Sequence, residues 1–85
     1  MFNDMHVYVY VLKSESSGQF YIGISKFKAK RTRQHNRGES PGTRGKGPWV
    51  EVFREPYDGY KSARRREKFL KTGKGRDYLH STYDY

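Results

Sequence analysis

Residues 7–25, VYVYVLKSESSGQFYIGIS, decide the fold of this chain. From His6 to Leu12 the valines alternate with other side chains, a period of two that is typical of a β-strand with two different faces. A second run with the same period covers 19–25, and the Ser- and Gly-rich segment 14–18 between the runs predicts a turn. We therefore expect the two strands to form a hairpin.

The segment after the hairpin predicts a helix, a loop and one more strand. Residues 27–37 contain no Gly or Pro and are rich in Lys and Arg, so we expect a helix that ends at Gly38. The Gly- and Pro-rich stretch 38–48 is expected to be a loop. A short third strand follows at 49–54, and a turn at 56–59.

Two further helices complete the predicted domain. One begins within 58–62, runs to about residue 71 and is stopped by Gly73, and a short last helix covers 76–80. The order strand, strand, helix, strand, helix, helix predicts an α+β fold with a three-stranded antiparallel sheet flanked by helices. With 85 residues the chain is expected to be a single domain whose core spans about residues 6–80.

Composition indicates the kind of partner. Eighteen Lys and Arg against nine Asp and Glu give a net charge of +9, which favours a polyanion, nucleic acid first, over a merely soluble basic protein. The chain has no Cys, which excludes disulfides and Cys-bearing zinc sites. Its longest apolar run, 7–12, is too short for a membrane span or a signal peptide. We expect no membrane partner and a cytoplasmic location, nucleoid-associated if the protein is bacterial.

Tyr10 and Tyr21 are the first candidate site residues. If the hairpin turn occupies 14–17, Tyr10 lies opposite Tyr21, and cross-strand partners share a face with Cβ atoms about 5 Å apart. Gly23 falls on the same face, where it would let a ligand or backbone approach the sheet. The alternative is that both tyrosines are half-buried and only cover the core.

The first predicted helix carries two more candidates. Arg31 and His35 are four residues apart and therefore share a face, which Phe27 can anchor to the sheet. An Arg can hold a phosphate with two hydrogen bonds, and a His can exchange a proton near neutral pH. The alternative is an ordinary solvated basic helix.

The second predicted helix places an acid among apolar residues. A stripe with the spacing i, i+3, i+7 and i+10 is formed by Tyr60, Ala63, Glu67 and Leu70. A carboxylate on such a stripe needs a charged partner or a metal ion. The alternative to a metal is a plain salt bridge from Glu67 to Arg64 or Lys71.

Together these residues resemble the GIY-YIG nuclease superfamily over about residues 7–79. The second signature tripeptide is intact as Tyr21-Ile22-Gly23, and the first is degenerate, Tyr8-Val9-Tyr10, with its Tyr eleven residues upstream. Segment 31–36 resembles the Arg helix of the family, and 63–71 resembles the segment that carries its metal-binding Glu.

The resemblance implies a role for each matching residue. Tyr10 and Tyr21 would line the site and position the attacking water, one of them acting as its general base. Arg31 would bind the scissile phosphate, and His35 would assist proton transfer or phosphate binding. Glu67 would be the only protein ligand to a divalent cation, Mg²⁺ or Mn²⁺, which commonly takes one or two carboxylates and keeps several waters.

Basic residues outside this set are expected to contact nucleic acid. They are Arg37, Arg44, Lys46, Arg64, Lys71, Lys74 and Arg76. The loop that carries some of them is either a DNA-contacting flap or a plain connector.

The function that follows is a divalent-metal-dependent DNA endonuclease. It would be structure-selective or weakly sequence-specific, preferring branched, flapped or single-stranded DNA, and the resemblance suggests a role in repair or recombination. The alternatives are a basic nucleic-acid-binding module that keeps the fold without cutting, and a small RNA-binding or ribosome-associated protein.

Overall fold

A computed structural model describes residues 6–26, 30–38 and 42–83, with the backbone alone at Lys30 and Arg31. The elements are β1 (Val7–Ser14), β2 (Phe20–Ser25), α1 (Lys30–Asn36), β3 (Trp49–Tyr57), α2 (Tyr60–Leu70) and α3 (Gly73–Tyr83). The three strands form one sheet in the order β2-β1-β3, with both neighbours antiparallel to β1. The predicted α+β class and element order are therefore confirmed.

The hairpin register differs from the prediction by two residues. Tyr10 pairs with Gly23, and Tyr21 pairs with Leu12, so Tyr10 and Tyr21 are diagonal neighbours and do not lie opposite each other. The turn lies one residue later than predicted: the Ser14 amide donates to the Gln19 carbonyl at 2.8 Å, and Gly18 takes φ +78°. Moving a turn by one residue shifts the pairing by two, which leaves every side chain on its predicted face.

The two faces of the sheet are covered by different parts of the chain. The valines of β1 pack with Ile22 against the fully buried Ala63, Leu70 and Leu79 of α2 and α3. On the opposite face Tyr10, Leu12 and Trp49 form a second cluster, with Tyr21 packed beside it. Burial of the valine face supplies the main apolar core and places α2 and α3 on one side of the sheet.

Two predicted boundaries are wrong. Strand β3 continues to Tyr57, so Pro56 belongs to the strand and only residues 58–59 form the turn. A proline is tolerated there because β3 is an edge strand, in which every second N–H points away from the sheet and makes no ladder bond. The predicted strand end at residue 54 and the predicted turn start at residue 56 agree with the usual exclusion of proline from strands.

Helix α3 is longer than predicted because Thr72 starts it. The Thr72 Oγ1 accepts from the Gly75 amide at 3.1 Å, which is an N-cap bond. Gly75 is buried where α3 passes α2, and a Cβ at this position would lie 2.1 Å from the Phe69 carbonyl oxygen. The glycine thus permits the close helix contact, although on sequence alone glycines argue against a helix.

A charged cluster joins α2 to β3. Arg66 donates from Nε and Nη2 to the two carboxylate oxygens of Glu55 at 3.1 and 3.2 Å, and Tyr57 donates to Glu55 at 2.9 Å. Burial and the contact with Glu55 raise the pKa of Tyr57, which keeps the phenol protonated. Burial opposes the charge on Arg66, but the hydrogen bonds and charge of Glu55 outweigh it and raise the pKa of the guanidinium. Arg66 therefore helps to fix α2 against the sheet.

Within the described ranges, none of the helices has the length and apolar character needed to cross a bilayer.

The two glycines at the start of α3 provide a matched test of the helix contact. Gly75→Ala should lower the free energy of unfolding by about 1–3 kcal/mol, because its methyl group meets backbone that cannot turn aside. Gly73→Ala, with nothing within 4 Å of its Cβ, should leave stability unchanged or raise it by up to about 1 kcal/mol. Urea denaturation of both variants measures the difference, and equal effects would contradict the close contact.

Candidate active site

A recess of about 320 Å³ opens along the edge of β2. We call it the Tyr10 recess; it is lined by Tyr10 of β1, Tyr21 to Ile24 of β2, His35 of α1, and Tyr60, Arg64, Glu67 and Lys71 from α2 and its end. Four of the five predicted catalytic residues therefore line one recess. The fifth, Arg31, lies one helical turn before His35 on α1, and its side chain is outside the described part of the structure.

Gly23 makes room for Tyr10. A Cβ on Gly23 would lie 2.5 Å from the Tyr10 hydroxyl oxygen and 2.6 Å from the Tyr10 Cζ, so the phenol ring crosses the glycine. The Tyr10 and Tyr21 ring centroids are 6.3 Å apart. The open space predicted above Gly23 is thus filled by the ring of Tyr10, which only a glycine at this position allows.

A buried hydrogen-bond chain runs through the back of the recess. The Tyr10 hydroxyl and His35 Nε2 are 3.0 Å apart, and His35 Nδ1 is 2.6 Å from the Thr43 hydroxyl. Tyr10 and His35 are each 3% exposed and Thr43 is 1% exposed. Both imidazole tautomers satisfy this chain, with opposite donor directions.

The position of His35 bears on its two predicted roles. Both ring nitrogens are already hydrogen-bonded inside the protein, and the Tyr21 ring packs on the imidazole with centroids 4.6 Å apart. A nitrogen in this setting can exchange a proton with Tyr10 without contacting the solvent. The geometry favours proton transfer over direct contact with a phosphate.

Thr43 is a site residue that the sequence analysis missed. It lies in the Gly-rich loop, yet its carbonyl accepts from Trp49 Nε1 at 3.2 Å and its hydroxyl meets His35. The Asn36 side chain accepts from the Trp49 amide at 2.6 Å and donates to the Trp49 carbonyl at 3.0 Å. Ser14 Oγ donates to the Lys46 carbonyl at 2.6 Å. The described part of the loop, 42–48, is therefore a fixed wall of the site. A polar residue among glycines gave no indication of this.

Glu67 lies at the rim of the packing stripe. Ala63 and Leu70 are fully buried against the sheet, whereas Tyr60 is 45% exposed and Glu67 turns towards the recess. Its Oε2 accepts from Lys71 Nζ at 2.9 Å, so the salt bridge to Lys71 that the sequence left open is present. The Lys71 side chain is 49% exposed and that of Glu67 is 19% exposed, so solvent reaches the pair from the Lys71 side and its contribution to stability is small.

Glu67 also fits a hydrated divalent cation. Among the described residues its Oε1 has no hydrogen-bond partner, and the carboxylate borders a recess wide enough for several waters. In the described ranges, no group of three or more His, Asp or Glu side chains is placed so that it could hold a metal ion together. A cation here would be held by Glu67, water and substrate, which is a coordination that Mg²⁺ accepts.

The predicted nucleic-acid contacts are spread over the surface around this site. Arg64 and Lys71 line the Tyr10 recess, and Lys46 and Arg76 line a neighbouring recess of about 360 Å³. Arg44 donates from Nε to the Gly38 carbonyl at 2.9 Å. Arg37 lines a hollow beside the loop, and Lys74 is exposed near the start of α3; neither borders either recess.

Comparison with known proteins agrees with the geometry. The family described as the GIY-YIG catalytic domain matches residues 6–82. The solution NMR structure of the UPF0213 protein BH0048 from Bacillus halodurans is 28% identical, with a TM-score of 0.55 over 93% of this chain and 86% of that one. No match was found among curated proteins. Since the family match covers nearly the whole chain, the chain belongs to the GIY-YIG family, whose domain implies a nuclease-type activity in general.

Proposed function

We propose that this protein is a divalent-metal-dependent endonuclease that hydrolyses phosphodiester bonds in DNA. The observation that carries the proposal is the convergence of Tyr10, Tyr21, His35 and Glu67 on one recess, in a domain of a nuclease family. Phosphodiester hydrolysis requires a positioned water, a proton acceptor and cations that offset charge on the phosphate. The recess holds a candidate for each requirement.

The Tyr10–His35–Thr43 chain supports a proton-transfer route. A water that binds the Tyr10 hydroxyl can lose a proton to it while the Tyr10 proton passes to His35 Nε2. His35 Nδ1 then keeps its own proton and donates to the Thr43 hydroxyl oxygen, 2.6 Å away. Because Tyr10 and His35 already form a hydrogen bond of 3.0 Å, the transfer needs no movement of heavy atoms over a large distance.

The cationic side chains supply phosphate binding. Arg64 and Lys71 line the recess, and we propose that Arg31, on the same helix as His35, contacts the scissile phosphate. Glu67 would hold Mg²⁺ or Mn²⁺, and the bound cation would offset charge on the phosphate and on the departing oxygen.

The substrate is proposed to be recognised by shape. The recess offers phenols and cations, which contact phosphate and sugar without distinguishing bases. This is consistent with selectivity for branched, flapped or single-stranded DNA, or with weak sequence specificity. A role in DNA repair or recombination is proposed from the family resemblance. The cytoplasm, or the nucleoid of a bacterium, would supply such substrates.

One observation favours a second candidate, a basic nucleic-acid-binding module that does not cut. The ion pair with Lys71 offsets the charge of Glu67 without a metal, so this carboxylate does not require a cation. Absence of cleavage by the wild-type protein with any divalent metal, together with retained DNA binding, would select this candidate.

Glu67→Gln should abolish nicking of supercoiled plasmid in Mg²⁺, with a loss of about 100-fold or more, because the cation loses its only protein ligand. Chelation with EDTA should stop the wild-type reaction in the same way. Lys68→Gln is the matched control, since Lys68 is exposed on the same helix and lines neither recess. Plasmid nicking by Glu67→Gln at the wild-type rate would contradict the proposal.

Arg31→Ala should reduce cleavage by about 100-fold while weakening DNA binding by less than about 10-fold, because a phosphate contact at the reacting centre acts most strongly in the transition state. Arg33→Ala, on the same helix and exposed, is the control. Cleavage rates and filter-binding affinities are compared at one salt concentration. Equal losses of rate and affinity would reduce Arg31 to an ordinary electrostatic contact.

Thr43→Val should lower the free energy of unfolding by about 1–3 kcal/mol, because the buried His35 Nδ1 loses its partner. Thr43→Ser keeps the hydroxyl and should lose less stability and less cleavage activity. Chemical denaturation and cleavage assays on both variants measure the difference. If the two variants behave alike, the hydroxyl has no special part in holding His35.

A further inference from the structure

A second recess lies beside the first along the same strand edge. We call it the Trp49 recess; it has a volume of about 360 Å³ and is lined in part by Phe20, Tyr21, Lys46, Trp49, Arg76 and His80. These residues come from β2, the fixed loop, β3 and α3. Tyr21 lines both recesses, so the two share a wall.

The chemistry of the Trp49 recess combines rings with cations. Phe20 and His80 are in edge contact with centroids 5.0 Å apart, and Tyr21 and Trp49 meet at 6.4 Å. Lys46 and Arg76 are exposed at its rim. In the described part of the chain no Asp or Glu lines it. Aromatic faces beside cations are how proteins bind unpaired nucleotides, because a base can stack while its phosphate is neutralised.

The Trp49 recess follows the edge of β2 and adjoins the Tyr10 recess. β2 is an edge strand, and its neighbouring residues Phe20 and Tyr21 point to opposite faces of the sheet. The recess therefore wraps round the edge of β2 and continues the Tyr10 recess towards α3. A polynucleotide with one phosphate in the Tyr10 recess would pass over Tyr21 and place its next unit in the Trp49 recess.

We propose that the Trp49 recess is a subsite for the nucleotide that adjoins the scissile phosphate. The base packs against the ring of Tyr21, beside Trp49, and Lys46 and Arg76 hold the adjoining phosphate. A base seated in this recess is withdrawn from pairing, so the substrate must present an unpaired nucleotide next to the cut. The assignment of the neighbouring phosphate as scissile rests on the proposed function, whereas nucleotide binding in this recess does not.

The single tryptophan of the chain lines the recess and reports on its occupancy. The experiment titrates the full chain with a short oligothymidylate in EDTA and follows tryptophan fluorescence. Quenching is expected with the oligothymidylate. An oligonucleotide of the same length with abasic units should quench little and bind about 5- to 150-fold more weakly, since each stacked base contributes about that factor. Equal quenching and affinity for the two probes would overturn the proposal.

Arg76→Gln and Lys46→Gln test the phosphate contact. Log affinity falls as log salt concentration rises, and each substitution should make this slope less steep by about 0.7, the value for one phosphate contact on a single strand. Lys68→Gln, outside both recesses, should leave the slope and the quenching unchanged. Arg76 and Lys46 are exposed, so both variants are expected to fold, and circular dichroism checks this. Slopes for both variants equal to that of Lys68→Gln would overturn the proposal.

The two proposals fail separately. If the wild-type protein cleaves DNA in Mg²⁺ but its binding is indifferent to abasic units and to Arg76→Gln, the subsite is wrong and the nuclease assignment stands. If the protein never cleaves but shows base-dependent quenching that Arg76→Gln weakens, the recess binds nucleotides and the nuclease assignment is wrong.

Discussion

The hydrogen bonds from Tyr10 through His35 to Thr43 are the interaction on which the site depends. Three polar side chains are withdrawn from water at one point, and each would be costly there without its partners. These hydrogen bonds join β1 to α1, which lies 25 residues further along the sequence, and α1 to the glycine-rich loop that follows it. Once these bonds are made, the loop, the imidazole and the phenol can hold only a few relative positions.

The second constraint is that the site lies at an edge. Helices α2 and α3 cover the valine face of the sheet, and the Tyr10 and Trp49 cluster forms the opposite face. Residues from both faces can meet along the free side of an edge strand, and at β2 Glu67 comes into the same recess as Tyr10. The Arg66–Glu55 ion pair sets α2 against β3, so the rim of this helix keeps its position.

The strand pattern, the faces of the tyrosines and the acid on α2 could be predicted because each follows from local periodicity. The register could not, since a turn placed one residue later moves Tyr10 from Tyr21 to Gly23. The start of α3 was missed because Gly75 serves a contact with Phe69 that lies outside any local propensity. Thr43 was missed for a similar reason: its importance comes from His35, which only the tertiary fold brings near. The roles of the site residues remain predictions from family resemblance.

Tyr21 is the common wall of two recesses, and this has a kinetic consequence. A ligand group that displaces this ring from one side changes the shape of the space on the other side, because close-packed groups transmit a displacement to their neighbours. Binding energy from contacts that lie away from the reacting atoms can thereby help to align those atoms. Ligands that fill both spaces should thus gain in turnover as well as in affinity over ligands that fill only one.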